Sequence, residues 1–228
     1  MARWGMVIDL DKCFACQSCT VACRMENNTP PAGPNQSAAD RAILWNEVLT
    51  FDVGEKPNQS VMVIPRPCQM CDNPPCVKVC PVEATYKDEE GIILVRYDRC
   101  IGCRFCAVAC PYGVRYFNWY EPEWPAGLDA HLNPDPEVAP RPKGVIEKCT
   151  FCIQRLRRAH EKAAAEGRPF SATDYQPACV TTCTGHARYF GDLDDPGSLV
   201  AQLAKSPRAF RLLEELGTEP KVYYLKQG

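Results

Sequence analysis

Apolar residues in this chain come in short bursts rather than long periodic stretches. Val61-Met62-Val63-Ile64 and Ile92-Ile93-Leu94-Val95 are brief apolar runs between polar flanks, the length of buried strands. The second run closes residues 85–95, where Lys87-Asp88-Glu89-Glu90-Gly91 supplies the turn of a hairpin. Residues 153–166, "IQRLRRAHEKAAAE", are rich in strong helix formers and stop at Gly167-Arg168-Pro169, which predicts a helix. After Pro196 the pattern predicts short helices over 198–205 and 207–216, then a strand over 221–225. Residues 26–60 form an excursion whose Trp45 is expected in the core. Residues 118–144 have no apolar period, and their prolines predict an extended loop.

With 228 residues the chain is long enough to bury a core, but it carries 16 cysteines, 21 prolines and 14 glycines. That composition leaves limited room for long helices and makes the cysteines the organisers of the fold. The net charge of −2 comes without a basic stripe, so nucleic acid is not an expected partner. No apolar run approaches the roughly 20 residues that span a bilayer. Met1-Ala2-Arg3-Trp4-Gly5 is neither an apolar signal core nor a twin-arginine signal. A membrane link, or export, is therefore expected only through a partner.

The cysteines fall into four groups of four. Cys13, Cys16, Cys19 and Cys23 are spaced C-x2-C-x2-C-x3-C, and Cys100, Cys103, Cys106 and Cys110 repeat that spacing before Pro111. Cys68, Cys71, Cys76 and Cys80 have a longer middle gap before Pro81, and the fourth group is Cys149 and Cys152, then Cys179 and Cys183. A disulfide framework fits poorly, because C-x2-C cysteines lie too close for a network of bridges. Zinc needs only two C-x2-C pairs, which leaves half of each run surplus. A [4Fe–4S] cluster uses three close cysteines, and the fourth ligates the neighbouring cluster. Sixteen thiolates then hold four [4Fe–4S] clusters. His131, His160 and His186 stand outside the groups and are expected to be ordinary polar residues.

The exchange of fourth cysteines fixes the expected ligand sets. Groups two and three lie close in sequence, so Cys68, Cys71 and Cys76 share a cluster with Cys110, while Cys100, Cys103 and Cys106 share one with Cys80. Groups one and four pair across them: Cys13, Cys16 and Cys19 with Cys183, and Cys149, Cys152 and Cys179 with Cys23. The expected fold is α+β, two interlocked ferredoxin-like modules of the bacterial two-[4Fe–4S] kind with long loop insertions. A split module over 1–60 and 145–196 encloses an inserted module over 61–117. A Pro/aromatic-rich loop over 118–144 and a C-terminal tail over 197–228 complete the chain.

On these groups, together with "MVIDLDKCFACQSCTVACRMENNTP", "CDNPPCVKVCP", "EKCTFC" and "FGDLDDP", the chain resembles the four-cluster iron–sulfur subunits of the molybdopterin (DMSO reductase type) oxidoreductases. The resemblance covers nearly the whole chain. It looks closest to the subunits of polysulfide, tetrathionate, arsenate or sulfite-converting enzymes and of alternative complex III. It implies a non-catalytic electron-transfer subunit between a molybdopterin catalytic subunit and a membrane-anchor partner that handles quinone or haem. The cluster of Cys80, Cys100, Cys103 and Cys106 would then lie nearest the quinone or haem end. Some relatives replace a ligand near Cys103 and hold three irons; Cys103 is present here, which implies four full clusters. The chain departs from the pattern at Thr184, which follows Cys183 in place of proline, and in the 26 residues between Cys152 and Cys179.

No Ser/His/Asp arrangement, Walker loop or G-x-G-x-x-G is present, so catalysis by this chain alone is not expected. The rival to a complex subunit is a stand-alone soluble polyferredoxin. Tyr116, Phe117, Trp119, Tyr120 and Trp124 argue against disorder in the long loop, and serve either to dock a partner or to cover a cluster. Arg155, Arg157 and Arg158 on the predicted helix either meet an acidic partner or face solvent.

Overall fold

The computed structural model describes residues 2–226 except 56 and 58. Met1 and the last two positions of the C-terminal tail therefore lie outside the described residues. The architecture is mixed α/β, with short elements hung on cysteine loops. In chain order the elements are β1 (Trp4–Asp9), α1 (Ser18–Glu26), α2 (Pro34–Ala38), β2 (Asn46–Val53), β3 (Ser60–Pro67) and α3 (Pro75–Lys78). There follow β4 (Thr85–Lys87), β5 (Ile93–Val95), α4 (Phe105–Val108), β6 (Tyr116–Phe117), β7 (Ile146–Glu147) and α5 (Ile153–Ala165). The chain ends with α6 (Ala178–Thr181), β8 (Arg188–Asp192), α7 (Leu199–Ala204), β9 (Ala209–Phe210) and β10 (Val222–Leu225).

The largest sheet runs β8-β1-β10-β9, and every residue of β1 is buried. β1 pairs antiparallel with β8 and parallel with β10, so the strand before the first cysteine group lies beside the strand after the fourth. The β4–β5 hairpin joins groups two and three, Thr85 opposite Val95. β2 and β3 form a second hairpin that crosses position 60. β6 pairs with β7 and returns the chain from the long loop to group four.

The core of the large sheet is aromatic. Trp4 stacks on Phe190 at 5.6 Å, and Tyr175 meets both edge-on at 5.2 Å. Trp45 is buried as expected, its Nε1 donating to Glu147 Oε2 at 2.9 Å.

Two expectations need correction. Residues 207–216 are not a helix: Ala209 and Phe210 are claimed by β10, and only Glu214–Leu216 makes a 3-10 turn. The Arg155, Arg157 and Arg158 side chains of α5 meet acids of this same chain: Glu26 at 2.6 Å, Glu137, and Asp135 at 2.5 Å. They clamp α5 onto α1 and onto the loop.

That loop, 118–144, contains only two 3-10 turns, Asp129–His131 and Pro136–Val138. It is nevertheless anchored. The Arg141 guanidinium, 2% exposed, pairs with Glu147 at 3.0 Å and donates to the Asn27 and Asn28 carbonyls. Asn28 in turn donates to the carbonyls of Asn133 and Val138. Among the described residues no helix is long and apolar enough to cross a membrane.

Candidate metal centres

Each cysteine group opens with a C-x2-C turn, and in all four the residue before the second cysteine is left-handed. Ala15 has φ 58°, Met70 46°, Gly102 65° and Phe151 55°. Only one of these is glycine, and for the others this conformation costs about 1–3 kcal/mol each. Such a turn points backbone N–H groups into a concavity suited to an anionic group. Phe151 N–H accordingly donates to Cys149 Sγ at 3.4 Å.

The turns and the short helices after them bring cysteines of different groups together. One cavity is lined by Cys13, Cys16, Cys19 and Cys183. A second is lined by Cys68, Cys71, Cys76 and Cys110. In a third place α1 packs on α6, which sets Cys23 among Cys149, Cys152 and Cys179. Asn27 Nδ2 lies 3.7 Å from Cys23 Sγ and 3.8 Å from Cys152 Sγ. Cys80, Cys100, Cys103 and Cys106 are placed less directly: α3, which leads to Cys80, packs on α4, which carries Cys106. The Thr85 N–H donates to Cys80 Sγ at 3.4 Å.

Close approach of backbone fixes two of these loops. A Cβ on Gly102 would stand 2.1 Å from the Gly144 carbonyl oxygen, and one on Gly185 would stand 2.4 Å from that of Lys12. Glycine at 102 thus seats the Cys100–Cys103 turn against the strand leading to group four. Glycine at 185 seats the turn after Cys183 against the start of group one.

The thiols respond to their company. Burial, and then repulsion from Cys68, pushes Cys71 up to about 12. Burial and the same Cys68 push Cys149 up to about 12. Cys23, Cys152 and Cys179 are raised chiefly by burial. Cys16 differs: Ser18 Oγ at 3.4 Å and Thr184 Oγ1 at 3.3 Å hold its thiol down to about 7. Crowded buried thiols resist ionisation alone, and a cationic metal core reverses that by binding them as thiolates. Among the described residues no group of three or more His, Cys, Asp or Glu suits a single metal ion. Two of the cavities are each lined by four cysteines, with no histidine or carboxylate among the lining residues, a donor set of the all-cysteine kind that [4Fe–4S] clusters use. The donor set therefore fits an iron–sulfur core.

None of the three histidines joins a cysteine set. His160 stacks on Phe170 at 3.8 Å with Glu90 beside it, while His131 and His186 are exposed. The loop aromatics divide. Trp119 is exposed, flanked by Arg41 and Arg104 at 4.5 and 5.0 Å from its ring. Trp124 is half-buried beside Met25 and Leu128. Sequence reasoning overlooked Asn27, Arg115, Lys148 and Arg188, all buried among the cysteines. For two of them a signal exists: Arg-Tyr-Phe begins five residues after Cys110 and again five after Cys183.

Residues 59–126 match the 4Fe-4S dicluster domain family. The chain is 50% identical to the iron–sulfur cluster-binding subunit of menaquinone reductase from Nitratidesulfovibrio vulgaris, over 99% of this chain and 89% of that protein. It is 44% identical to a selenate reductase subunit from Mesobacillus selenatarsenatis, over 98% of this chain and 72% of that one. It is 38% identical to the iron–sulfur subunit of arsenate respiratory reductase from a Shewanella species, over 98% and 96%. These likenesses extend from the first cysteine group to the last, and sixteen cysteines supply ligands for four [4Fe–4S] clusters. The chain belongs to the iron–sulfur electron-transfer subunits of the DMSO reductase type oxidoreductases, and it is not the catalytic subunit.

Proposed function

We propose that the chain is a linear electron wire joining a molybdopterin catalytic subunit to a membrane-anchor subunit that handles quinone. Its four ligand sets are Cys13/Cys16/Cys19/Cys183, Cys23/Cys149/Cys152/Cys179, Cys68/Cys71/Cys76/Cys110 and Cys80/Cys100/Cys103/Cys106. The observation that carries this reading is the convergence of cysteines from separate runs on common cavities. In this reading residues 1–60 and 145–196 form the split ferredoxin-like module and 61–117 the inserted one. Residues 118–144 are a loop strapped over α1, and the described part of the 197–228 tail, through residue 226, packs back on the sheet.

Each [4Fe–4S] cluster takes up and gives back one electron, and what the chain supplies is spacing, dryness and sulfur hydrogen bonds. Proximity orders the sets. Arg188 interacts with Cys19 and Cys183 on one side and Cys179 on the other. Cys149 lies near enough to Cys68, across the boundary between modules, for that thiol to add to the effect of burial in disfavouring ionisation of Cys149. Arg115 interacts with Cys76, Cys68 and Cys106. The order is therefore the Cys13 set, the Cys149 set, the Cys68 set and the Cys100 set. Ile101, Phe105 and Val108 are exposed around the last set and Phe14 beside the first, apolar surface at both ends of the wire. In this reading, as the family resemblance implies, the Cys100 set lies toward the quinone or haem end. Membrane association then comes through the partner.

Anaerobic purification of the chain with whatever accompanies it tests the reading. The expected result is a stoichiometric complex with a molybdopterin subunit and sixteen irons per chain, four for each cluster, with matching sulfide. Zinc in place of iron, or fewer than half the irons, would overturn it. A fully loaded monomer that needs no partner would select the polyferredoxin alternative.

A further inference from the structure

Five cationic side chains are buried among the described residues: Arg115, Arg141, Lys148, Arg188 and Lys221. Two are neutralised in the ordinary way, Arg141 by Glu147 at 3.0 Å and Lys221 by Asp72 at 3.5 Å. The other three have no carboxylate partner among the described residues. Arg115 Nη2 donates to Thr85 Oγ1 at 2.7 Å, and its Nε and Nη1 have no hydrogen-bond partner. Arg188 donates to Asn46 Oδ1 at 2.7 Å and stands 3.5 Å from Met6 Sδ. Lys148 Nζ donates to the carbonyls of Ile93 and Cys149, with Met70 Sδ at 3.9 Å. An isolated buried charge costs several kcal/mol, so an uncompensated cation in a native core implies a counter-charge of another kind.

All three lie beside cysteines of two different sets. Arg115 lines the cavity of the Cys68 set and also interacts with Cys106 of the next. Arg188 lines the cavity of the Cys13 set and also interacts with Cys179. Lys148 adjoins Cys149 and interacts with Cys76 across the module boundary. The two arginines occupy equivalent places, each five residues after the last cysteine of its group, in an Arg-Tyr-Phe that opens a strand or leads into one.

We propose that Arg188, Lys148 and Arg115 are the counter-charges of the wire, one at each junction between successive cysteine sets, and that each raises the reduction potential of the two clusters it faces. The inference rests on the ligand sets of the proposed function. A cluster held by four thiolates is an anion that gains one further negative charge on reduction, so a fixed cation favours the reduced form. One electron enters a junction for each that leaves, and no bond or proton changes hands.

The test is an EPR-monitored redox titration of the intact complex carrying Arg115→Gln, Lys148→Gln or Arg188→Gln. The expected outcome is a shift of at least tenfold in the oxidised-to-reduced ratio, 59 mV lower for a one-electron couple. It should fall on the two clusters facing the altered residue and spare the other two. Arg115→Lys, Arg188→Lys and Lys148→Arg, which keep the charge, should retain most of the original potential. Full iron content with unmoved potentials would overturn the proposal and leave the ligand sets standing. If the sets themselves are wrong, Cys→Ser substitutions will perturb clusters in a different pairing, which is read independently. Where a glutamine variant fails to load iron, the methionine variant replaces it. Loading by the conservative variant but by neither neutral one supports a need for charge, and loading by none of the three assigns the site to shape and overturns the proposal.

Discussion

Cys23 and Cys152 share one hydrogen-bond donor. Asn27 Nδ2 stands 3.7 Å from the first sulfur and 3.8 Å from the second, although Cys23 belongs in sequence to the run that begins at Cys13. Cys23→Ser should therefore damage the cluster of Cys149, Cys152 and Cys179 and leave that of Cys13, Cys16 and Cys19 intact. EPR of the reduced variant distinguishes the two, and loss of the group-one signal would refute the exchange of fourth cysteines.

Cys103→Ser removes one proposed ligand from the last set in the order. The expected product is a three-iron cluster or none at that position, with the other three retained. An unchanged EPR spectrum would show that Cys103 binds no iron.

Gly102→Ala places a methyl group 2.1 Å from the backbone oxygen of Gly144, at a φ of +65°. Neither side is a flexible side-chain end. The substitution should destabilise by more than about 1 kcal/mol, beyond the usual glycine-to-alanine effect. Quantified iron should fall, with loss concentrated in the Cys100 set.

Arg141→Met leaves the Glu147 carboxylate, fully buried, without its cation. Breaking a buried pair from one side costs about 3–5 kcal/mol. Thermal melting should drop, and limited proteolysis should cut within residues 119–140, where the loop loses its anchor. Adding Glu147→Gln should recover part of the loss, since it removes the stranded charge.

Trp119→Ala should weaken assembly with the catalytic or membrane partner by roughly 30-fold, the effect of losing an interface anchor of about 2 kcal/mol, while iron content holds. Trp124→Ala should instead loosen the loop, because that ring is already engaged with Met25 and Leu128. Co-purification yields and iron assays on both variants separate these roles.

Cysteine spacing made the four groups legible in the sequence, and the proposed sets extend that reading on the ground that three thiols on a tight turn and helix can close around one core and the fourth cannot reach it. The backbone of those turns was not legible. Ala15, Met70 and Phe151 take a left-handed φ without the glycine that advertises it, the turn being imposed by its surroundings. The false helix over 207–216 failed for a related reason: pairing of Ala209 and Phe210 with β10 outweighs local propensity. Arg141 and Glu147 stand close in sequence, but prolines and charges around them read as exposed loop, and only the burial contributed by Asn27 and Trp45 makes the pair internal. The α5 arginines were recognised as a charged face, yet nothing local identifies Glu26, Asp135 and Glu137 as their partners.

The central place of β1 carries a consequence for biosynthesis. Met6 pairs with Val222, which is translated 216 positions later. The hairpin and cysteines between Cys68 and Cys110 can close as soon as they emerge, whereas β1 waits for β8 and β10 before the large sheet can form. Until residues 179–183 are made, Cys13, Cys16, Cys19 and Cys23 lack the partners the proposed sets give them, Cys183 and Cys179, and stay open to oxidation and to stray metals. Given the proposed sets, iron delivery to the Cys13 set comes late, and slow translation between Cys110 and Cys183 should harm the cluster built on Cys13, Cys16 and Cys19 more than the cluster of Cys68, Cys71 and Cys76.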